Sequence, residues 1–262
     1  MINRALTIAG SDSGGGAGIQ ADLKTFSAFG VYGMSVITAV TAQNTVRVHG
    51  VEPVSSRFIG LQIEAVLTDL GADGLKTGML FDTDIVQVVA QKIRESGVPH
   101  VVVDPVMVAK GGDVLLEPRA VEMVIRELIP LATVVTPNIP EAETITGLSI
   151  TDNNSIKDAA FQMHKLGCKA VLIKGGHLDG DAVDLLFDGE QFIHFSAKRI
   201  QTPNTHGTGC TYSAAILSCL IKGMPLKEAV SSAKRYVTRA IETSFALGKG
   251  HGPLNHFIQP EK

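Results

Sequence analysis

Tryptophan is absent from the 262-residue sequence, and all aromatic residues together make up only 5% of it. Proteins that bind single-stranded nucleic acid use aromatic side chains as stacking platforms for the bases. A basic surface is also missing, because 26 acidic residues outnumber 23 lysines and arginines and give a formal charge of -3. Binding to a nucleic-acid backbone needs the opposite balance. Both absences argue against nucleic acid as a partner.

Cysteine and long apolar runs are scarce as well. The three cysteines, Cys168, Cys210 and Cys219, are odd in number and include no CxxC pair, which is typical of a reducing compartment. The apolar run near the N-terminus, residues 5–10, is too short for the hydrophobic region of a signal peptide or for a membrane span. We therefore expect a cytoplasmic protein with no membrane association.

The sequence does contain enough apolar material for a large core, since 45% of its residues are hydrophobic and 19% are charged. Apolar runs alternate with segments of helical periodicity. Strands are predicted at 5–9, 34–42, 74–79, 100–106, 132–136 and 169–177, with a hairpin at 182–195 turning at Asp188-Gly189. Helices are predicted at 19–29, 55–70, 83–95, 120–128, 155–166 (capped by Asn154 or Ser155), 211–222 and 226–244. This alternation predicts an α/β fold, a mostly parallel sheet with helices on both faces. With no repeat or linker, we expect one domain, 1–262.

Residues 204–211, Asn-Thr-His-Gly-Thr-Gly-Cys-Thr, lead directly into a predicted helix. Gly207 and Gly209 allow backbone angles that turn several N–H groups towards one point. A helix start also has unpaired N–H groups and the positive end of the helix dipole, so it favours an anion. Cys210 lies there, and a helix N-terminus tends to acidify a thiol. The octapeptide fits phosphoryl or acyl chemistry, and a tight turn around a buried thiol is the alternative.

Polar residues follow three successive predicted strands. Asp104 lies towards the end of the strand at 100–106, Asn138 and Glu141 follow the strand at 132–136, and Lys174 lies towards the end of the next. Ligands of parallel sheets bind at the carboxyl ends of the strands. Carboxylate oxygens suit Mg²⁺ and a lysine suits phosphate, although a lone acid or a solvated lysine at a strand end is ordinary. The group predicts a phosphate-and-metal site.

A glycine-rich loop at 10–18 follows the first predicted strand. Its spacing matches neither GxGxxG nor GxxxxGK[ST], so close passage of the backbone by a small ligand is the better interpretation. Asp12 and Asp22 are polar groups available there, and Asp12 also suits a turn or a helix cap. Gln43 ends the strand at 34–42, where an amide can match the donors and acceptors of a heterocycle. A plain turn is the competing interpretation.

Taken together, these motifs resemble the ribokinase-like superfamily and, within it, the hydroxymethylpyrimidine/phosphomethylpyrimidine kinase family of thiamine biosynthesis. The resemblance covers nearly the whole chain. It rests on the segments 9–24, 40–45, 76–79, 103–107, 136–138 and 205–211, which are specific in combination and in this order.

The resemblance implies transfer of a phosphoryl group from ATP to the substrate hydroxymethyl group, and then to the resulting monophosphate to give the pyrophosphate. The pyrimidine would lie near Gly10, Ala17, Asp22, Gln43, Met79 and Val106. ATP or its phosphates would be bound by Asn138, Lys174 and Lys234. Mg²⁺ would be held, directly or through water, by Asp104 and Glu141.

The resemblance also assigns the transfer step to the start of the helix after the octapeptide. The amides of residues 207–210, thus Gly207, Thr208, Gly209 and Cys210, would stabilise the charge on the transferred group. Cys210 would take the hydroxyl proton, in the place where most sugar kinases of the superfamily have an aspartate. Family members are commonly dimers, so we expect a homodimer.

Three rival functions stay open at this point. Pyridoxal kinase of the two-cysteine type shares the fold and the cysteine loop, but its second cysteine would lie in the flap predicted at 107–113, where this chain has Ala109. A non-catalytic vitamin-binding protein would have lost the base or the metal ligands, and none is lost here. A hydrolase with Cys210 as nucleophile would need His206 as its base.

Overall fold

A computed structural model of the protein describes residues 2–108, 112, 115–175 and 180–261. The strands in these residues are Arg4–Asp12 (β1), Tyr32–Gln43 (β2), Val48–Pro53 (β3), Gly74–Thr77 (β4), Val101–Val103 (β5), Val134–Val135 (β6), Val171–Ile173 (β7), Ala182–Phe187 (β8) and Phe192–Ala197 (β9). They form one sheet in the order β3-β2-β1-β4-β5-β6-β7-β8-β9. Pairing is parallel from β2 through β7, and β3, β8 and β9 join by antiparallel pairing.

The described part of the chain contains eight α-helices, of which the first six lie between strands and the last two follow the last strand. They are Gly18–Ala28 (α1), Ser56–Asp69 (α2), Thr83–Ser96 (α3), Pro118–Met123 (α4), Ile139–Thr146 (α5), Asn153–His164 (α6), Thr208–Ile221 (α7) and Leu226–Glu242 (α8). After α4 the chain continues as a π-helical turn, Val124–Leu128, and a 3-10 turn, Ile129–Leu131. Among the described residues, none of the helices has the length and apolarity that a membrane crossing requires.

Two hydrophobic cores lie on the two faces of the sheet, and strand side chains alternate between them. On β5, Val101 and Val103 belong to the core that contains residues of α2 to α6. Val102, between them, belongs to the core that contains residues of α1, α7 and α8. Strands buried on both faces appear in a sequence as continuous apolar runs. The predicted α/β sandwich with helices on both faces is confirmed.

The turn at Asp188-Gly189 is also confirmed, because β8 and β9 pair antiparallel from Ala182↔Ala197 to Phe187↔Phe192. The antiparallel edge strand β3 was not predicted. Its residues are half-buried or exposed, so it lacks the apolar pattern of the central strands.

Several predicted boundaries were wrong. The strand predicted at 100–106 ends at Val103, where the chain turns so that the Val106 N–H donates to the Asp104 carbonyl at 2.8 Å. Helix α6 is capped by Asp152, whose side chain accepts from the N–H groups of residues 154 and 155. Helix α7 begins at Thr208, inside the octapeptide. Part of the predicted flap, with Ala109, and residues 176–177 of the strand predicted at 169–177 lie outside the described residues.

Candidate active site

Three neighbouring strands of the sheet end in polar residues that lie together. Asp104 follows β5, Asn138 follows β6 and Lys174 follows β7. Lys174 Nζ donates to Asp104 Oδ1 at 2.8 Å, and the backbones of Asn138 and Lys174 form an isolated parallel bridge. Adjacent parallel strands end at the same edge of a sheet. The convergence that the sequence predicted for these residues is confirmed.

The Asp104 carboxylate is 2% exposed and is surrounded by donors. Besides Lys174, it accepts hydrogen bonds from Thr136 Oγ1 at 3.2 Å and from Ser213 Oγ at 3.4 Å. Burial raises the pKa of Asp104, but the charges of Lys174 and Lys76 outweigh burial and hold the pKa below its ordinary value. Asp104 is therefore a carboxylate at neutral pH.

Asn138 and Glu141 form a capping box at the start of α5. Asn138 Oδ1 accepts from the Glu141 N–H at 2.9 Å, and Glu141 Oε2 accepts from the Asn138 N–H at 2.8 Å. Such reciprocal bonds satisfy two backbone donors of the helix start. Burial and the charge of Asp104 raise the pKa of Glu141 to about 7, against the opposing effect of Lys174. Both residues thus have a structural role beside the predicted one.

The carboxylates of Asp104 and Glu141 fit the oxygen ligands that Mg²⁺ prefers. The raised pKa of Glu141 reflects in part repulsion between these two acids, which a divalent cation would relieve. Over residues 2–108, 112, 115–175 and 180–261, no three His, Cys, Asp or Glu side chains are grouped around a metal position. Mg²⁺ usually binds one or two carboxylates and completes its shell with water and phosphate oxygens, so two acids fit it.

The start of α7 borders the Asp104–Lys174 pair. Gly207 is the N-cap residue with φ of 82°, and a side chain there would collide with the Gly16 carbonyl, so glycine is required. A Cβ added to Gly209 would lie 3.4 Å from Lys174 Nζ and 3.6 Å from Asp104 Oδ2. The N–H groups of a first helical turn are available to an anion, and here a lysine lies beside them.

Cys210 lies partly buried in the first turn of α7. Burial raises the pKa of its thiol to about 11, although the charge of Lys76 and the N–H of Gly18 act in the opposite direction. The expectation that the helix start would acidify this thiol was wrong for the protein without ligand. Removal from water disfavours the thiolate more than Lys76 and Gly18 favour it. Since Gly18 is the first residue of α1, the thiol lies between two helix starts.

Three of the predicted pyrimidine contacts lie around the loop before Gly18, the residue whose N–H donates to this thiol. A Cβ added to Gly10 would lie 3.0 Å from Met79 Sδ, and one added to Gly18 would collide with the Gly10 carbonyl. Ala17 is the N-cap residue of α1, and its N–H donates to Asp12 Oδ2 at 2.9 Å. Gly10, Ala17 and Met79 therefore surround the end of β1 on the same side as the start of α7.

Gln43, the last residue of β2, points towards the loop that precedes α7. Its Oε1 accepts from Thr41 Oγ1 at 3.1 Å, and its Nε2 lies 3.5 Å from His206 Nε2. His206 Nε2 lies in turn 2.8 Å from Asp12 Oδ2. Polar contacts thus connect the side-chain amide of Gln43 to the glycine-rich loop at 10–18 and to the glycine-containing loop before α7.

Two predicted ligand-binding residues have their charged groups engaged elsewhere. Asp22 is fully buried, and its two carboxylate oxygens accept from Lys76 Nζ at 3.0 and 2.9 Å. Lys234 Nζ donates to Asp184 Oδ2 at 2.7 Å, and Asp184 Oδ1 accepts from the Gly175 N–H at 3.0 Å. The carboxylate of Asp22 and the ammonium of Lys234 are therefore both engaged in ion pairs within the protein.

Val106 and Thr208 complete the predicted set. Val106 is half-buried two residues after Asp104, and the hydroxyl of Thr208 donates to the carbonyl of Thr205 at 2.7 Å.

Lys76, Ser213 and the Asp12–His206 contact were not predicted. A lysine inside an apolar strand signals a buried acid partner, and Ser213 lies one helical turn after Gly209, so sequence signals existed for the first two.

A helix start suited to anions, beside acids and a lysine at strand ends, fits the phosphate site that the resemblance to the ribokinase-like class implies. Comparisons with known proteins place the chain within that class. The phosphomethylpyrimidine kinase family matches residues 12–255. Hydroxymethylpyrimidine/phosphomethylpyrimidine kinase of Bacillus subtilis (strain 168) is 51% identical over 258 residues, which cover 98% of this chain and 95% of the relative. The chain belongs to the hydroxymethylpyrimidine/phosphomethylpyrimidine kinase family.

Two further similarities bear on the function. Thiamine biosynthesis bifunctional protein ThiED of Geobacter sulfurreducens is 54% identical over 257 residues, which cover 98% of this chain and 52% of that protein. This chain thus spans about half the length of the bifunctional relative. The crystal structure of an ADP complex of Bacillus subtilis pyridoxal kinase superposes with a TM-score of 0.90 at 42% identity and covers 98% of both chains. The assignment to phosphotransferases of thiamine biosynthesis is confirmed.

Proposed function

We propose that this chain uses ATP to phosphorylate 4-amino-5-hydroxymethyl-2-methylpyrimidine and then phosphorylates the monophosphate to the pyrophosphate at the same site. The observation that carries the proposal is the arrangement at the start of α7. Gly209 borders the Asp104–Lys174 pair, and the next residue, Cys210, receives the N–H of Gly18. Phosphate groups and an acceptor hydroxyl can therefore meet at one helical turn, which in-line phosphoryl transfer requires.

In this proposal the phosphates of ATP lie along the ends of β5, β6 and β7. Lys174 and the N–H groups of residues 207–210 stabilise the negative charge that develops on the transferred group. Asn138 and Lys234 contribute to the binding of ATP. Asp104 and Glu141 would hold Mg²⁺, and a bound Mg²⁺ would neutralise charge on the phosphate oxygens. The ADP complex of the pyridoxal kinase relative supports a nucleotide in this fold.

Cys210 is the proposed acceptor of the hydroxyl proton. With a thiol pKa of about 11 it is protonated at neutral pH before ligands bind, so it can act as a base only after this proton has been released to water. A thiolate is also a weak base for an alcohol, and the proton therefore moves late, when bonding to phosphorus has acidified the hydroxyl. Alignment of the acceptor between two helix starts contributes more than base strength.

The pyrimidine ring is proposed to lie against Gly10 and Met79, with Ala17 and Val106 at its edges. Glycine at position 10 lets the Met79 sulfur lie close to the backbone, since an added Cβ would be only 3.0 Å from Met79 Sδ. Gln43 offers both an amide oxygen and an amide nitrogen, which complement the donor and acceptor of an aminopyrimidine edge. Asp22 acts from beneath, through its ion pair, rather than by contact with the ring.

The proposal includes a homodimer located in the cytoplasm. The dimer is supported by the resemblance to the family, and the location by the unpaired cysteines. Sedimentation at several protein concentrations tests the dimer, because a dimer gives twice the chain mass of 27.7 kDa.

Pyridoxal kinase activity is the alternative, favoured by the 42% identity to a pyridoxal kinase over nearly the whole chain. Both substrates are small rings that bear a hydroxymethyl group. ADP release measured with the pyrimidine alcohol, its monophosphate and pyridoxal at equal concentrations separates the two functions. We expect the highest kcat/KM with the two pyrimidines. A preference for pyridoxal would establish the alternative, and no turnover of ATP with any of the three would overturn the kinase proposal.

A further inference from the structure

The Asp12 carboxylate brings four hydrogen-bond donors together. Oδ1 accepts from the Gly14 N–H at 2.8 Å, and Oδ2 accepts from the N–H groups of Gly16 and Ala17 at 3.0 and 2.9 Å. The fourth donor comes from the loop before α7, where His206 Nε2 lies 2.8 Å from Oδ2. The side chains of Asp12 and His206 are 3% and 12% exposed, so the contact is shielded from water.

The chemistry of this contact fixes the position of the His206 proton. An ionised carboxylate only accepts hydrogen bonds, so Nε2 carries a hydrogen and donates it to Asp12. Burial raises the pKa of Asp12, but His206 and the loop N–H groups outweigh burial and hold the pKa below its ordinary value. A nitrogen that donates to Asp12 cannot accept from Gln43 Nε2, 3.5 Å away. The amide hydrogens of Gln43 on this side therefore stay available to a ligand.

His206 also lies where the two glycine loops touch. A Cβ added to Gly16 would collide with the His206 ring, and a Cβ added to Gly207 would collide with the Gly16 carbonyl. The two loops are thus in direct contact, with no side chain between their backbones at this point. One loop carries the proposed pyrimidine contact Ala17, and the other leads within a few residues to Cys210. Any movement between the loops changes the distance between the acceptor hydroxyl and the thiol.

We propose that His206 is a positioning residue for phosphoryl transfer. Held by Asp12 as an Nε2–H donor, it fixes the pyrimidine loop against the start of α7 and keeps the Gln43 amide free for the substrate ring. The inference rests on the proposed function and adds to it a residue outside the set that the family resemblance implies. His206 acts through the residues it holds in place. A misplacement of the reacting groups by about 1 Å can lower the rate roughly a hundredfold.

Three variants test this role. His206→Leu removes the donor, whereas His206→Gln keeps an N–H donor on a side chain of similar reach. His251→Leu is the matched control, because His251 Nδ1 contacts the Pro203 carbonyl at 3.1 Å near the same loop without a contact to Asp12. The measurements are kcat, KM for the pyrimidine alcohol and KM for ATP, together with calorimetric binding of the alcohol and of ADP.

For His206→Leu we expect kcat/KM for the alcohol to fall roughly 10- to 100-fold while KM for ATP changes less than about threefold. His206→Gln should recover most of the loss, and His251→Leu should match the wild type. The positioning role would be overturned if kcat/KM fell equally for the alcohol and for ATP, or if His206→Gln recovered none of the lost activity. It would also be overturned if His251→Leu lowered the activity as much as His206→Leu. If the wild type transfers no phosphate, the proposed function fails, and calorimetry still decides. Weakened alcohol binding with unchanged ADP binding in His206→Leu then supports the role, and any other result overturns it.

Discussion

The ammonium of Lys76 and the carboxylate of Asp22 form an ion pair in which both side chains are 0% exposed. Thr7 Oγ1 donates to the same carboxylate at 2.7 Å. Burial lowers the pKa of Lys76, but the charges of Asp22 and of the nearby Cys210 and Asp104 outweigh burial and raise it. Such a buried pair contributes little net stability. The two charges of the pair act in opposite directions on Cys210, because Lys76 lowers the pKa of the thiol and Asp22 raises it.

The first prediction concerns the stability of this pair. Lys76→Met leaves Asp22 buried without a counter-ion, so the free energy of unfolding should fall by about 3–5 kcal/mol. The double variant with Lys76→Met and Asp22→Leu contains no unpaired charge and should be more stable than Lys76→Met alone. Urea unfolding of the wild type and the variants measures these differences. A double variant as unstable as the sum of the two single changes would contradict the pairing.

The second prediction concerns the ionisation of Cys210. Since the pKa of its thiol is about 11, alkylation by iodoacetamide should be slow at pH 7.5 and should accelerate up to about pH 11. Cys168 and Cys219 are buried free cysteines, and their replacement by alanine isolates the signal. Lys76→Met should move the acceleration to higher pH, because the positive charge that favours the thiolate is gone. Rapid alkylation already at pH 7.5 would show that the thiol is acidified after all.

The third prediction concerns the contribution of Cys210 to turnover. Cys210→Ala should lower kcat by roughly 10²- to 10⁴-fold, the usual contribution of a general base, with little change in ATP affinity. The matched controls are Cys168→Ala and Cys219→Ala, which should keep the wild-type kcat because those thiols lie in the core. Near-normal turnover of Cys210→Ala would remove this thiol from the mechanism.

The fourth prediction separates two roles of Glu141. Glu141→Gln keeps a side-chain oxygen that can accept from the Asn138 N–H, so stability should change by less than about 0.5 kcal/mol. The variant loses the negative charge that the proposed Mg²⁺ site needs, and activity should fall while the Mg²⁺ concentration for half-maximal rate rises. Asn138→Ala, in contrast, removes a cap and should cost about 1 kcal/mol of stability. Full activity of Glu141→Gln at low Mg²⁺ would leave Glu141 with a structural role alone.

The fifth prediction is a pH dependence of stability. His256 Nε2 lies 2.8 Å from Thr211 Oγ1, and burial lowers the pKa of His256 from 6.5 to about 4, with the charge of Lys24 acting in the same direction. Between these two values the unfolded chain binds the proton and the native protein does not. The free energy of unfolding should therefore fall as the pH drops through this window, by up to about 3 kcal/mol.

His256→Gln provides the test of that pH dependence. Glutamine does not titrate and can still bond to the Thr211 hydroxyl, so the fall between pH 6.5 and pH 4 should become smaller. Urea unfolding of both proteins at several pH values gives the two curves. Curves of equal slope would show that His256 does not cause the dependence.

The parts of the fold and site that the sequence predicted are those set by local pattern. Three consecutive valines in β5 indicate a strand buried on both faces, and Asp188-Gly189 indicates a hairpin. The meeting of Asp104 and Lys174 follows from the same logic, because parallel strands bring their carboxyl ends to one edge. Neither conclusion needs knowledge of distant contacts.

The parts that could not be predicted depend on residues far apart in the chain. Asp12 and His206 are separated by 194 positions, and nothing near either residue indicates the other. The resemblance placed Asp22 near the pyrimidine, and its separation of 54 positions from Lys76 gave no sign that the two side chains pair. The sequence wrongly predicted a lowered pKa for the Cys210 thiol. The helix start that favours the thiolate is visible in the local sequence, whereas the burial that raises the pKa depends on the whole fold.

The central claim is that one site at the start of α7 performs two successive phosphoryl transfers. Mass spectrometry of the products formed over time from the pyrimidine alcohol, ATP and Mg²⁺ tests it most directly. We expect the monophosphate to rise and then fall as the pyrophosphate accumulates, and Lys174→Met to slow both steps because each transfer develops charge on the transferred group. Cys210→Ala should slow the first step most, because the monophosphate is already an anion and has no hydroxyl proton to give up. No phosphorylated pyrimidine from the wild type, or a Lys174→Met variant that loses one step and keeps the other at full rate, would contradict the claim.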